Sequence, residues 1–160
     1  MNKRHTLKVV VDTTYLLPIF GIGVKGLTDE DLLLLRKLSL EGTIKLYLVP
    51  VIWSELLGKV YREASKYKVD DKRTSFAIKS LYNPRFYKWI KPGYKAIKLA
   101  YKMRKLGHRD NIDNILYATA LTRNMMFLSM DQELKEFLDK VELPQDNVIT
   151  HKDLFNLLGY

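Results

Sequence analysis

Apolar residues fall in short runs separated by longer segments of helical period. Leu7-Lys8-Val9-Val10-Val11 reads as a buried strand, Ile44 to Val49 as a second, Met125 to Ser129 as a third and Val148-Ile149 as a short last one. Between them, Thr28 stands as an N-cap with Asp29, Glu30 and Asp31 filling the first turn, which predicts a helix to about Ser39. Gly42 turns the chain into the second strand. Pro50 suits the start of a helix running to about Lys66. Lys66 to Arg73 is a polar connection, and Thr74 to Tyr82 a short helix stopped by Asn83-Pro84. Tyr94 to Leu106 is a helix ended by Gly107, followed by helices at Asn111 to Arg123, Gln132 to Leu138 and Lys152 to Leu157. Tyr15 to Gly23 is an apolar loop or short helix broken by Pro18, Gly21 and Gly23. Strands alternating with helices predict an α/β fold on a parallel sheet. No repeat, linker or low-complexity tract interrupts the alternation.

Four carboxylates mark the boundaries of these elements. Asp12 closes the first strand, Glu55 lies in the first turns after the second, Asp113 near the start of the Asn111 helix, and Asp131 just after Phe127-Leu128-Ser129-Met130. Strand C-terminal ends of a parallel sheet gather at one edge, where ligands bind, so acids far apart in sequence meet there. Alone they repel: two charges ~4 Å apart cost about 4 kcal/mol at an effective dielectric of about 20. A hard divalent cation resolves the conflict, and oxygen ligands suit Mg²⁺ or Mn²⁺, as one ion or two. Each acid also has an ordinary structural reading. Asp12 can cap a turn, Asp131 can cap the helix at Gln132, Glu55 can complement a helix N-terminus, and Asp113 can pair with Arg109. The joint pattern favours chemistry.

Composition narrows the chemistry. The chain has no cysteine, which excludes disulfides, thiolate nucleophiles and cysteine zinc sites. His5, His108 and His151 show no metal-ligand spacing, which argues against a hydrolytic zinc centre. Lys3-Arg4 precede an apolar stretch, but Asp12 interrupts it and no cleavage site follows. No run reaches the roughly 18 apolar residues of a membrane span, so the chain is expected to be soluble and cytoplasmic.

The net charge of +9 is concentrated. From Lys72 to Arg109 there are basic residues throughout and no Asp or Glu. The same stretch holds Phe76, Tyr82, Phe86, Tyr87, Trp89, Tyr94 and Tyr101. The charge block reads as a polyanion surface, since solvated faces normally mix signs. Each aromatic taken singly reads as core, although aromatics also stack nucleobases. Lys95, Lys98, Lys102 and Lys105 share one helix face, with Ile97, Ala100, Tyr101 and Met103 expected elsewhere on its surface. Together with Arg109 they are the candidate nucleic-acid contacts. Arg36 and Arg123 are weaker candidates, because arginine near helix ends also serves solubility.

The ordered set of motifs resembles the PIN-domain ribonucleases, including VapC-type toxins. It is carried by Val10-Val11-Asp12-Thr13-Thr14, by Ser54-Glu55, by Asp113 with Ala118-Thr119-Ala120, and by Phe127-Leu128-Ser129-Met130-Asp131. The segment Lys66 to Arg109 carries no signature of that family. The resemblance implies a three-layer α/β/α fold around a mostly parallel sheet of about five strands, with residues 1–160 as one PIN-like domain. In it, the basic, aromatic-rich helical segment spans about 66–109. It implies that Asp12, Glu55, Asp113 and Asp131 form the catalytic metal site for Mg²⁺ or Mn²⁺, supported by Ser129 and by Thr13 through its hydroxyl. Asp110 is an extra candidate, better read as the cap of its helix. The implied activity is metal-dependent cleavage of RNA phosphodiesters to a 5′-phosphate and a 3′-hydroxyl. The implied partners are RNA, an antitoxin protein covering the acidic groove and a second copy of the chain, with Tyr15 to Val24 as a candidate interface.

Three other readings compete. One is a PIN-like module that binds RNA without cutting it, and another is an RNA-maturation nuclease that acts with a partner. The last, a phosphotransferase using Asp12 as nucleophile in the haloacid-dehalogenase manner, requires a second Asp two residues on, where this chain has Thr14.

Overall fold

Val9, Val10 and Val11 are fully or almost fully buried, which is what a strand covered on both faces requires. They belong to β1 (Leu7–Val11), the central strand of a five-stranded parallel sheet. The structure is a computed structural model and describes residues 5–160; Lys3 and Arg4 lie outside the described residues. The other strands are β2 (Ile44–Leu48), β3 (Tyr87–Trp89), β4 (Met126–Leu128) and β5 (Val148–Ile149), in the spatial order β3-β2-β1-β4-β5. Val9 is level with Leu46 on one side and Met126 on the other, and Leu48 is level with Trp89.

Two short 3-10 turns, Thr13–Tyr15 and Leu17–Phe20, follow β1. The helices are α1 (Asp29–Leu40), α2 (Ile52–Glu63), α3 (Asp71–Leu81), α4 (Tyr94–Lys105), α5 (Asn111–Thr122), α6 (Gln132–Lys140) and α7 (His151–Leu158). The chain moves outward from β1 through β2 to β3, then returns past β1 to β4 and β5. With right-handed crossovers, this puts α1 to α3 on one face and α4 to α6 on the other. The three-layer α/β/α expectation holds. The reversal of direction between β1 and β4 creates a topological switch point at their carboxyl ends.

Local chemistry sets the helix ends. Thr28 and Asp31 form a reciprocal capping box at α1, and Thr150 and Asp153 do the same at α7. Asp70 caps α3, so that helix begins three residues earlier than its apolar pattern suggests. Asp110 caps α5 by accepting from the amides of Ile112 and Asp113. Gly107, at φ +110°, lets the chain leave α4 through a conformation closed to other residues.

Three sequence expectations change. Residues 83–92 contain the edge strand β3, too short to show a period of two. Phe76, Tyr82, Tyr94 and Tyr101 are exposed rather than core. On α4 the inner face is Ala96, Leu99, Ala100 and Met103, with Ile97 and Tyr101 turned outward among the lysines. Tyr15, Leu16, Phe20 and Ile22 are buried, whereas the other residues of the Tyr15 to Val24 segment are partly or fully accessible.

Candidate active site

The amide of Asp12 continues the sheet by donating to the carbonyl of Leu128 at 3.1 Å, so Asp12 sits at the end of β1 beside the end of β4. Its side chain is 6% exposed, and its Oδ1 accepts from the amide of Thr13 at 2.7 Å. Ser129, one residue beyond β4, donates its hydroxyl to Asp12 Oδ2 at 3.1 Å. The same hydroxyl accepts from the amide of Asp131, also at 3.1 Å. Ser129 thus joins two of the expected acids. Asp131 also caps α6 through the amide of Leu134 at 3.2 Å, so its structural reading and its place in the site coexist.

Asp113 reaches the cluster from α5. Capping by Asp110 starts that helix at Asn111, and Asp113 in its first turn is 6% exposed. Burial raises its carboxyl far above the ordinary carboxylate range. The charge of Asp12, a hydrogen bond with Asp131 and the charges of Asp110 and Asp131 push in the same direction. Asp12 is raised to about 6, first by burial and then by Glu55; Lys59, the Thr13 amide and the Ser129 hydroxyl pull it back. Asp113 on α5 thus feels the charges of Asp12, at the end of β1, and of Asp131, after β4.

Glu55 approaches Asp12 from the side of Thr13 and carries its own counter-ion. Lys59, one helical turn further along α2, forms an ion pair with its Oε1. Thr13 Oγ1 lies 2.8 Å from Glu55 Oε2, 3.3 Å from Asp12 Oδ1 and 3.4 Å from Lys59 Nζ. Thr13 consequently links Glu55 to Asp12. Sequence reasoning missed Lys59, although a Glu four residues before a Lys on one helix is a readable pairing signal.

Among the described residues, no group of three or more His, Asp or Glu is placed so that it could hold a metal ion. The donor set, in its chemistry as distinct from its spacing, is of the kind a hard ion takes. It is all oxygen, its members repel one another, and at Asp113 no basic group offsets the burial and the neighbouring charges. An open groove of about 540 Å³ leads to Asp113 and Asp131 and is lined also by Arg109, Asp110, Glu133, Glu136 and Lys140. Asp12 and Glu55 lie outside that lining.

The basic flank divides along its length. Lys95, Lys98, Lys102 and Lys105 are all exposed. The α4 C-terminus joins the acidic edge, because Arg104 Nη1 donates to the carbonyl of Arg109 at 2.7 Å and Arg109 lines the groove. Lys102 and Lys105 lie at that end. Lys95 is about 15 Å further along the axis at 1.5 Å per residue. Arg123 is engaged elsewhere, donating to the carbonyl of Lys91 at 2.8 Å. Arg36 stacks over Phe86, 5.2 Å from the ring centroid.

Two of the three histidines have structural partners. His108 Nδ1 is 2.7 Å from Asn114 Oδ1, and buried His151 contacts the Tyr15 hydroxyl at 3.0 Å. No helix among the described residues is long and apolar enough to cross a membrane.

No family model matches the chain, and no curated protein does. A solved structure that does match is VapBC2 from Rickettsia felis bound to a DNA fragment from their promoter, with a TM-score of 0.56 and 14% identity. The match covers 90% of this chain and 97% of that chain. At this identity the likeness is one of fold: this chain shares with a chain of that complex an architecture consistent with the PIN-like type.

Proposed function

We propose that the protein is a metal-dependent endoribonuclease of the PIN type, acting as a VapC-like toxin. The observation that carries the reading is the convergence of buried Asp12 and Asp113 with Asp131 at the switch point between β1 and β4. Asp12, Asp113 and Asp131 would hold Mg²⁺ or Mn²⁺, with Glu55 joining them if it leaves Lys59. When bound, such an ion activates water at neutral pH and offsets phosphate charge.

The chain's own residues do the rest. Ser129 and the Thr13 amide fix the Asp12 carboxylate from two sides, so its orientation is set before any ligand arrives. Lys59 balances Glu55 and, through Thr13, keeps the second acid beside the first. Arg109 and Lys140 on the groove wall, with Lys102 and Lys105 beyond, supply cations for the phosphodiester backbone. Without a cation, the groove's carboxylates would repel the substrate that those bases attract.

The fold shared with a toxin–antitoxin complex supports an antitoxin as protein partner, with the acidic groove as the surface to be blocked. A specific observation favours the rival binding module: Glu55 is already satisfied by Lys59. One experiment separates the two. Wild type and Asp12→Asn are incubated with labelled single-stranded and structured RNA in Mg²⁺, Mn²⁺ or EDTA. Cleavage that needs metal and is lost in a folded Asp12→Asn protein is expected. RNA binding by both proteins with no cleavage in any condition would establish the binding module instead.

A further inference from the structure

Both tryptophans of the chain, Trp53 and Trp89, lie in one aromatic cluster completed by Tyr82. The rings are near-parallel, at 17° to 23°, with centroids 5.2 to 6.0 Å apart. Trp89 ends β3 and is anchored by its indole N–H, which donates to the carbonyl of Leu81 at 2.9 Å. Trp53 sits in the first turn of α2, two residues before Glu55. The tryptophans are half-buried against the core, whereas Tyr82 lies on them and remains 58% exposed. A tyrosine that only sealed the sheet edge would bury its ring; this one leaves an open aromatic face.

The position of this cluster links it to the acidic site. Trp89 is level with Leu48, in the register that places Val11 at the end of β1. Two strand spacings, about 10 Å, therefore separate the end of β3 from the end of β1. The first turn of α2 stands between them, carrying Trp53 on one side and Glu55 on the other. Leu57 and Tyr61, 51% and 84% exposed, continue the Trp53 stripe along α2 at four-residue spacing. Tyr82 and Trp89 belong to the stretch without a single acid, where Lys79 and Lys91 close by in sequence are exposed, while Arg85 and Lys88 line a separate hollow with Thr6 and Gly42. Flat aromatic surface beside uncompensated positive charge is complementary to an unpaired base on a phosphate chain.

We infer that Tyr82, backed by Trp53 and Trp89, is a stacking platform for an unpaired nucleobase of single-stranded RNA, a few nucleotides from the bond presented to the acidic edge. The inference rests on the ribonuclease reading for its ligand but not for its test. Because these are the chain's two tryptophans, intrinsic fluorescence reports the platform directly. In EDTA, where no cutting occurs, a six-nucleotide single-stranded RNA quenches tryptophan emission. An abasic ribose-phosphate oligomer of equal length and an RNA duplex do not. Tyr82→Ala weakens the single-stranded RNA by about tenfold, leaves the abasic oligomer unchanged, and Tyr82→Phe restores binding. Tyr82 is exposed, so these variants keep the fold, as a thermal melt verifies.

Equal affinity for base-bearing and abasic oligomers, or unchanged RNA binding by Tyr82→Ala, overturns the platform. A change in oligomeric mass in Tyr82→Ala with RNA binding intact also overturns it and assigns the face to protein contact. The cleavage assay is separate. Cleavage by wild type with a failed quench leaves the ribonuclease standing without this platform. A base-dependent quench with no cleavage keeps the platform and removes the ribonuclease.

Discussion

The switch point between β1 and β4 and the flank from α3 to α4 carry opposite chemistry in opposite settings. At the switch point, carboxylates are buried, Asp12 is oriented by Ser129 and Thr13, and Asp12 and Asp113 keep their protons to higher pH than they would in water. On the flank, lysines and aromatics are exposed, spread along helices, and few are fixed by hydrogen bonds. The difference assigns the roles: a fixed, mutually repelling cluster suits a reaction, and an exposed charged surface suits attraction of a long polyanion.

The largest effect is expected at Asp12. Asp12→Asn keeps the bond accepted from the Thr13 amide, makes its own amide the donor toward Ser129 and removes the charge, so RNA cleavage should fall to background. Ser129→Ala is the next step down. It frees one oxygen of Asp12 and the amide of Asp131, and should cost roughly ten- to a hundredfold in metal affinity or turnover. A Ser129→Ala enzyme with wild-type cleavage kinetics would show that Asp12 is held by its neighbours alone.

Stability should depend on pH in an unusual direction. Asp12 and Asp113 are raised above their ordinary value, so the folded metal-free protein keeps protons that the unfolded chain has lost. Stability then falls as pH rises from about 4, through about 6 for Asp12 and further for Asp113. Asp31 and Asp153 are shifted the opposite way, and their contribution is already complete above about pH 4. The melting temperature in EDTA should therefore drop between about pH 5 and about pH 8, and Asp113→Asn should flatten the slope. A melting temperature that rises across this window would contradict the repulsion inferred at the cluster.

On the flank the effects are smaller and graded by position. Replacing Lys102, Lys105 and Arg109 by Ala should weaken single-stranded RNA binding and reduce its salt slope by about one unit for each phosphate left without a cation. Replacing Lys95 and Lys98 should do less, because they lie toward the far end of α4. Equal effects from both sets would mean that the RNA runs the full length of α4.

The same contrast explains what could be read from the sequence. Strand ends were legible because burial on both faces forces continuous apolar runs, and an acid closing such a run, as Asp12 does after Val9-Val10-Val11, is conspicuous. Ser129 and Asp131 were legible for the same reason. The edge strand β3 was not, since Tyr87-Lys88-Trp89 shows its register only beside β2. The Glu55–Lys59 pair was readable as a four-residue spacing, but its contact with Thr13 was not, because that depends on the end of β1 and α2 meeting in space. The exposure of Tyr82 and Tyr101 was hidden because aromatic residues ordinarily supply core, and nothing local says which ones face water. The order of residues along α4 relative to the acids became readable only from the packing of α4 on α5.

Calorimetric titration of metal-free wild type and Asp113→Asn with Mn²⁺ near neutral pH, in two buffers of different ionisation enthalpy, tests the central claim without relying on activity. The account predicts binding to wild type with proton release, because Asp113 must give up its proton to serve as a ligand, and loss of both in the variant. Absence of binding, or equal binding and proton release by the two proteins, would contradict the assignment of the switch-point carboxylates as a metal site.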